Sequence, residues 1–281
     1  YIKAGDGGTT NRLLVSLLSL GSNTYHLVSS EHFKERPNEE AFRILKDLNV
    51  NVTEPKNSDE FWISLKGPAD LNQKVKVDCA KTTQFYSSFK LPSAVSDLEV
   101  SAHNLETSVF YAKMTDDLVK QFRDGVRSFK IPIDFSSASY SIAFGSLFHN
   151  LKITNCESID LFQADSVLIE IINQHGGDVR LEDGGLRVRK STLSPFDQDC
   201  SNCPDLVPTL VFLALGIKGT SYMRNIKVLK FKESDRIGWI TRILDEVGAT
   251  YEYDEAKDYL SVTGFFQNNK KIHFNLPSDH R

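Results

Sequence analysis

The sequence has 281 residues, 40% hydrophobic and 25% charged, with a formal net charge of −4, enough to bury a large core in one large or two medium domains. Its longest apolar runs, such as LVFLALGI at 210–217, are too short to span a bilayer, and no charged-then-apolar segment opens the chain, so a cytoplasmic protein is expected. Lysine and arginine are spread along the chain, which argues against nucleic-acid binding and leaves anion recognition to local clusters.

In chain order, four stretches begin with small, hydroxylated or acidic residues and run into apolar helices. They are GDGGTTNRLLVSLLSLG from residue 5, KTTQFYSSFKL from 81, DFSSASYSIAFGSLF from 134 and CPDLVPTLVFLALG from 203. Ser, Thr and Asp suit such openings because their oxygens accept from first-turn amides, and Pro208 fits a turn in which no amide is needed. Between them lie more amphipathic helices: EEAFRILKDLNV, TDDLVKQFRDGV, ADSVLIEIINQHGG and SDRIGWITRILDEVGA. In the last, Ile237, Ile240, Leu244 and Val247 line one face, and β-prone residues such as YLSVTG follow the stop at glycine. The alternation predicts an α/β protein in which a unit of strands and helices recurs. Two units precede about residue 132 and two follow, with the break at FKIPIDF, where Pro132 interrupts the pattern. Helix starts carry a partial positive charge, so several aimed at one place would attract phosphate or carboxylate.

Cysteines stand at 79, 156, 200 and 203, and only Cys200 and Cys203 have C-x-x-C spacing. They lack the second pair or matched histidines that zinc requires, so neither metal nor redox chemistry is expected. GDGGT has neither P-loop nor G-x-G-x-x-G spacing and reads, alone, as a tight turn into a helix. KFKESDR at 230–236, taken alone, reads as a solvated helix start capped by Ser234 or Asp235. The chain opens on Tyr1 and ends on Asp279, His280 and Arg281, and both ends are expected to be cut.

Together these stretches point further. GDGGTTNRLL, FKERP, TTQF with Ser108 and Tyr111, DFSSASY, PDLVPT, NIKVLKFKESDR and the terminal SDHR stand in an order that resembles the 5-enolpyruvylshikimate-3-phosphate synthase family from residue 5 to 281. The resemblance implies a two-domain enolpyruvyl transferase-like fold built from repeated β-α-β-α-β-β units, three per domain. Residues 1–132 would form the later part of the first domain, and 133–281 the second domain with its C-terminal end missing. It implies that the 5-hydroxyl of shikimate 3-phosphate attacks C2 of phosphoenolpyruvate and that the adduct then loses phosphate. No cofactor or metal is implied, the partners are the two small substrates, and a monomer is expected.

Carried over residue by residue, the phosphoenolpyruvate site would comprise Gly8, Thr9, Arg36, Arg236 and Arg281. Shikimate 3-phosphate would meet Thr82, Thr83, Gln84, Ser108, Tyr111, Asp205 and Lys232. Asp205 would be the base and Glu233 the proton donor to the enol carbon. Arginine suits the clamp because its planar fork grips carboxylate or phosphate oxygens in pairs. The sequence departs from the family pattern at Asp6, where asparagine is usual, at Thr82-Thr83 in place of two serines, and at Val228 in place of a polar residue. A Lys-Ser-x-Ser-x-Arg segment would lie before Tyr1, and a late lysine beyond Arg281. Two alternatives follow: a catalytically incomplete fragment or non-catalytic ligand-binding homologue, and an enolpyruvyl transferase for a different hydroxyl acceptor.

Overall fold

The computed structural model describes residues 1–5, 7–56, 60–106, 108–264, 273–275 and 279. The chain divides into two compact units, Tyr1–Phe129 and Lys130–Arg281.

In the first unit, strand β1 (Ile2–Lys3) leads through helix α1 (Gly8–Ser19) to β2 (Thr24–Val28). A short helix α2 (Glu31–Lys34) and the amphipathic α3 (Glu39–Asp47) then lead to β3 (Asn51–Thr53) and β4 (Phe61–Lys66). The sheet order is β1-β2-β4-β3, with β1 and β2 parallel and the remaining pairs antiparallel. A second, shorter copy follows: β5 (Lys74–Asp78), α4 (Gln84–Lys90), the parallel β6 (Glu99–His103) and α5 (Val109–Arg123).

The second unit starts with α6 (Phe135–Leu147), β7 (Leu151–Thr154), α7 (Val167–Gln174), β8 (Asp178–Glu182) and β9 (Gly185–Arg189), whose strands lie in the order β7-β9-β8. It ends with β10 (Asp197–Asp199), α8 (Val207–Gly216), β11 (Thr220–Arg224), α9 (Arg236–Val247), β12 (Thr250–Asp254) and β13 (Tyr259–Thr263). Their order, β10-β11-β13-β12, with one parallel pair and two antiparallel ones, repeats that of β1 to β4. The recurrent unit is therefore β-α-β-α-β-β, complete in β1–β4 and β10–β13.

The local causes are readable. On α3, Ala41, Ile44 and Leu45 are fully buried, and full burial of an isoleucine or leucine side chain contributes about 1.5–3 kcal/mol. Arg43 faces out and pairs with Glu40 and Asp47 at 2.6 Å. Helix α1 packs on α4 through small residues: Ser16 Oγ donates to the Ser88 carbonyl (2.5 Å) and Ser88 Oγ to the Arg12 carbonyl (2.7 Å). Buried hydroxyls are tolerated there because each finds a partner.

The expectation that side chains cap all four apolar helices needs correction. Asp134 caps α6 by accepting from Ser136 N–H, and Thr82 Oγ accepts from Gln84 N–H at the start of α4 (3.2 Å). Helix α1, by contrast, follows Gly7 with no side-chain cap, and α8 grows out of a 3-10 turn, Pro204–Leu206, again without one. The α1 start is a tight glycine turn, with Gly5 at a φ of +64°, and its backbone is held by groups further along the chain. Among the described residues no helix is long and apolar enough to cross a membrane.

Candidate functional site

In the first unit the glycine turn is pinned from two sides. Asn11 Nδ2 donates to the carbonyls of Gly5 (2.8 Å) and Gly7 (3.0 Å), Trp62 Nε1 donates to Asn11 Oδ1 (2.9 Å), and Ser29 Oγ donates to the Gly5 carbonyl (2.6 Å). Asn11 is fully buried, so the exposed glycines Gly5 and Gly7 are tied to the core through its side chain.

Gly8, the first residue of α1, lies directly under two of the expected ligand groups. A Cβ placed on it would fall 2.9 and 3.2 Å from the two Nη atoms of Arg36 and 3.2 Å from Gln84 Oε1. A methyl group there would enter the space the guanidinium and amide share and displace their ends. Gln84 Nε2 also donates to Thr9 Oγ1 (3.2 Å). Gly8, Thr9, Arg36 and Gln84 are thus one cluster, with Thr82 beside it at the start of α4.

Arg36 is positioned by its neighbours. Ser30 caps α2 by accepting from Phe33 N–H, Arg36 N–H donates to the Phe33 carbonyl (3.2 Å), and the Arg36 guanidinium carbon lies 5.8 Å from the Phe33 ring centre. Thr83 is buried, and its side chain makes no capping bond. Ser108 precedes α5 with a φ of +54°, and Tyr111 sits half-buried in the first turn of that helix. They connect to the cluster through the packing of α5 on α4, where Ser87 and Thr115 hydroxyls meet at 2.7 Å and Tyr86 donates to Asp116 at 2.6 Å.

In the second unit, KFKESDR is not a solvated helix start. Asp235 caps α9 by accepting from Gly238 N–H (3.1 Å), as expected, but Arg236 is only 4% exposed. Its guanidinium is enclosed by carboxylates: Nη1 donates to Asp205 (2.7 Å), Nη2 to Glu233 (2.6 Å) and Asp279 Oδ1 (3.2 Å), and Nε to Asp279 Oδ2 (3.0 Å). Ser234 Oγ steadies Asp279 at 2.7 Å, and Lys232 Nζ lies 3.2 Å from Asp205. Burial opposes the charge on Arg236, but the Asp279 hydrogen bonds and the charges of Asp205 and Glu233 outweigh it, and its pKa is raised.

This geometry alters the expected role of Arg236. A guanidinium has five N–H donors, and these carboxylates accept four hydrogen bonds from it. A two-pronged grip on a ligand therefore requires a carboxylate to let go. Asp205, Lys232, Glu233 and Arg236 lie in one cluster. Asp279 joins them without having been singled out in the sequence, although it stands in the SDHR stretch. Arg281 and Asp6 lie outside the described residues.

Cys200 and Cys203 are buried in the turn that leads into Asp205, with Cys203 N–H donating to the Cys200 carbonyl (3.1 Å). Their thiols face the carbonyls of Gln198 (3.7 Å) and Asp199 (3.9 Å). The hydrogen bond to Cys203, reinforced by burial, pushes the Cys200 thiol pKa up, away from the reactive thiolate. Among the described residues no group of three or more His, Cys, Asp or Glu could hold a metal ion.

The repeated β-α-β-α-β-β unit defines a protein of the enolpyruvyl transferase-like α/β class. Solved structures agree on the fold: an EPSP synthase from Acinetobacter baumannii superposes with a TM-score of 0.69 at 18% identity, over 95% of this chain and 66% of that one. The enolpyruvyl transferase NikO from Streptomyces tendae gives 0.58 at 13% identity, over 91% of this chain and 63% of that one. The sequence profile of the EPSP synthase (3-phosphoshikimate 1-carboxyvinyltransferase) family matches residues 1–128 and 123–281, and the chain belongs to that family. The 3-phosphoshikimate 1-carboxyvinyltransferase of Pyrococcus abyssi is 29% identical over 88% of this chain and 62% of its own length. That of Thermococcus kodakarensis is 29% identical over the whole chain and 71% of its own length. The chain thus spans about two thirds of the length of the curated relatives it matches.

Proposed function

We propose that this protein transfers the enolpyruvyl group of phosphoenolpyruvate to the 5-hydroxyl of shikimate 3-phosphate and releases phosphate. The observation that carries the reading is the cluster of Asp205, Lys232, Glu233 and Arg236, which brings two carboxylates and two cations from separate segments into contact. Addition to an enol requires a base for the attacking hydroxyl and an acid for the methylene carbon, and anionic substrates require cations nearby.

In this reading Asp205 takes the proton of the 5-hydroxyl as its oxygen bonds to C2 of phosphoenolpyruvate, and Glu233 delivers a proton to C3. The tetrahedral adduct then loses a proton from C3 as the bond from C2 to the phosphate oxygen breaks, and the enol ether is restored. In the first unit, Arg36 and the amides at the start of α1 receive a phosphate or carboxylate, while Gln84 and Thr82 offer polar contacts to shikimate 3-phosphate. In the second unit, Lys232 balances the charge on Asp205. Ser108 and Tyr111 would complete the shikimate 3-phosphate contacts, and Arg281 the clamp.

The test is phosphate release on mixing the protein with both substrates, with wild type set beside Asp205→Asn. Release that needs both substrates and falls by about 100-fold or more in the variant is expected of a lost general base. Calorimetric binding of both ligands without any release would favour the non-catalytic homologue, and neither binding nor release would reject the reading.

A further inference from the structure

The residue that organises the first unit's cluster was not among the expected ligand contacts. Arg12, on α1, is only 2% exposed and is the largest charged side chain in that core. Its Nη1 donates to Gln84 Oε1 (2.9 Å) and approaches Thr82 Oγ1 (3.5 Å), its Nη2 donates to the Pro37 carbonyl (3.0 Å), and its Nε donates to Asn38 Oδ1 (3.2 Å). The guanidinium carbon lies 5.0 Å from the Phe85 ring centre and 5.6 Å from that of Phe33. Pro37 and Asn38 directly follow Arg36, and Asn38 Nδ2 donates to the Phe33 carbonyl (3.1 Å). One side chain thereby joins α1, the turn that carries Arg36 and the start of α4.

We infer that Arg12 is a positioning residue that fixes which end of the Gln84 amide is offered to ligand. The argument is one of donor and acceptor inventory and rests on the substrate reading above. A guanidinium has donors only, so Gln84 must turn its oxygen toward Arg12, and its NH2 then points the other way, toward Thr9 Oγ1. Without Arg12 the amide could rotate and present its oxygen, an acceptor that repels phosphate. Arg12 also holds the Pro37 carbonyl and Asn38, so the same guanidinium sets the distance between Arg36 and Gln84 above Gly8. Lysine is also a donor only, but its single Nζ cannot span Asn38, the Pro37 carbonyl and Gln84 as the three guanidinium nitrogens do, so Arg12→Lys leaves the Gln84 oxygen without a fixed partner.

The experiment uses Arg12→Lys, Gln84→Ala and the double variant of the whole chain, with thermal unfolding to show that each folds. Calorimetry with shikimate 3-phosphate gives the binding arm. About 10-fold weaker binding is expected in each single variant, and no further loss in the double variant, because residues acting through one another are not additive. Losses that multiply, or an Arg12→Lys protein that binds as wild type does, would overturn the inference. A ligand-free arm separates this from failure of the substrate reading. The Gln84 side-chain amide resonances, assigned by their disappearance in Gln84→Ala, are expected to shift in Arg12→Lys, and unchanged resonances would overturn the inference even if wild type bound no shikimate 3-phosphate. Should Arg12→Lys fail to fold, Gln84→Glu provides the alternative: its carboxylate keeps the acceptor for Arg12 but loses the donor, so binding is expected to fall by at least 10-fold while the fold persists. Retained binding there would count equally against the role.

Discussion

Arg12 and Arg236 are both buried arginines on helices, but their settings differ. Arg12 sits within α1 among two aromatic rings, two amide or hydroxyl side chains of the TTQ stretch, Asn38 and a backbone carbonyl. Arg236 is the first residue of α9 and is surrounded by three carboxylates. A cation at a helix N-terminus opposes the macrodipole, so the second arrangement depends on its anions, whereas the first depends on shape and directional bonds. The first unit uses a guanidinium as a scaffold beside a second arginine, Arg36, which is the one proposed to meet ligand. The second makes a single guanidinium serve as both structural hub and expected ligand group, so binding there has to compete with internal partners.

The largest effect expected from this contrast is the loss of the hub. Arg236→Ala leaves Asp205, Glu233 and Asp279 gathered around a void, and breaking a buried ion pair by removing one partner costs about 3–5 kcal/mol. A urea titration that follows the second unit measures this, and a loss below about 1 kcal/mol would show that the carboxylates relax apart as a surface pair does. A smaller effect is expected from Gly8→Ala. The added methyl meets the ends of Arg36 and Gln84, which side-chain rotation can relieve, so thermal stability should change little while phosphoenolpyruvate binding weakens about 10-fold, or 1.4 kcal/mol. Unchanged binding in calorimetry would mean that the first unit's cluster is as adaptable as the second's, and the contrast would fail.

The smallest effect concerns alkaline pH. Burial pushes the Cys79 thiol up from 9.0 to about 11, so above pH 9 the unfolded chain has released a proton that the folded first unit still holds. The Cys79 contribution to stability therefore declines as pH rises from 9.0 to about 11 and levels beyond it. Tyr86, raised by burial and by its bond to Asp116, adds to the decline from about pH 10. Urea midpoints of wild type and Cys79→Ala across this range test the sign: the variant should show a shallower slope, and parallel slopes would remove the thiol from the explanation.

Much of the fold was legible because its causes are local. The spacing of Ala41, Ile44 and Leu45, the Asp134 and Asp235 caps, and the glycine stop after α9, where Gly248 has a φ of +72°, are each set by residues a few positions apart. The membership of each charged cluster was harder to read. Taken alone, KFKESDR looked solvated because nothing within seven residues indicates that Asp205 and Asp279 arrive from elsewhere to bury Arg236; only the family resemblance pointed Lys232, Glu233 and Arg236 toward a ligand. Asn11 and Arg12 carried one signal, two polar residues at the head of an apolar helix, but their partners Trp62, Asn38 and Gln84 lie far along the chain.

The sequence by itself determined the recurrence of strand and helix, the family motifs and the residue types able to bind anions. Only the tertiary structure decided which of those residues are buried and which partners each of them meets. The reason is physical: periodicity and capping act over one or two turns, whereas the partners of a buried charge are chosen by which segments the packed units bring within about 3 Å of it, the range of a hydrogen bond.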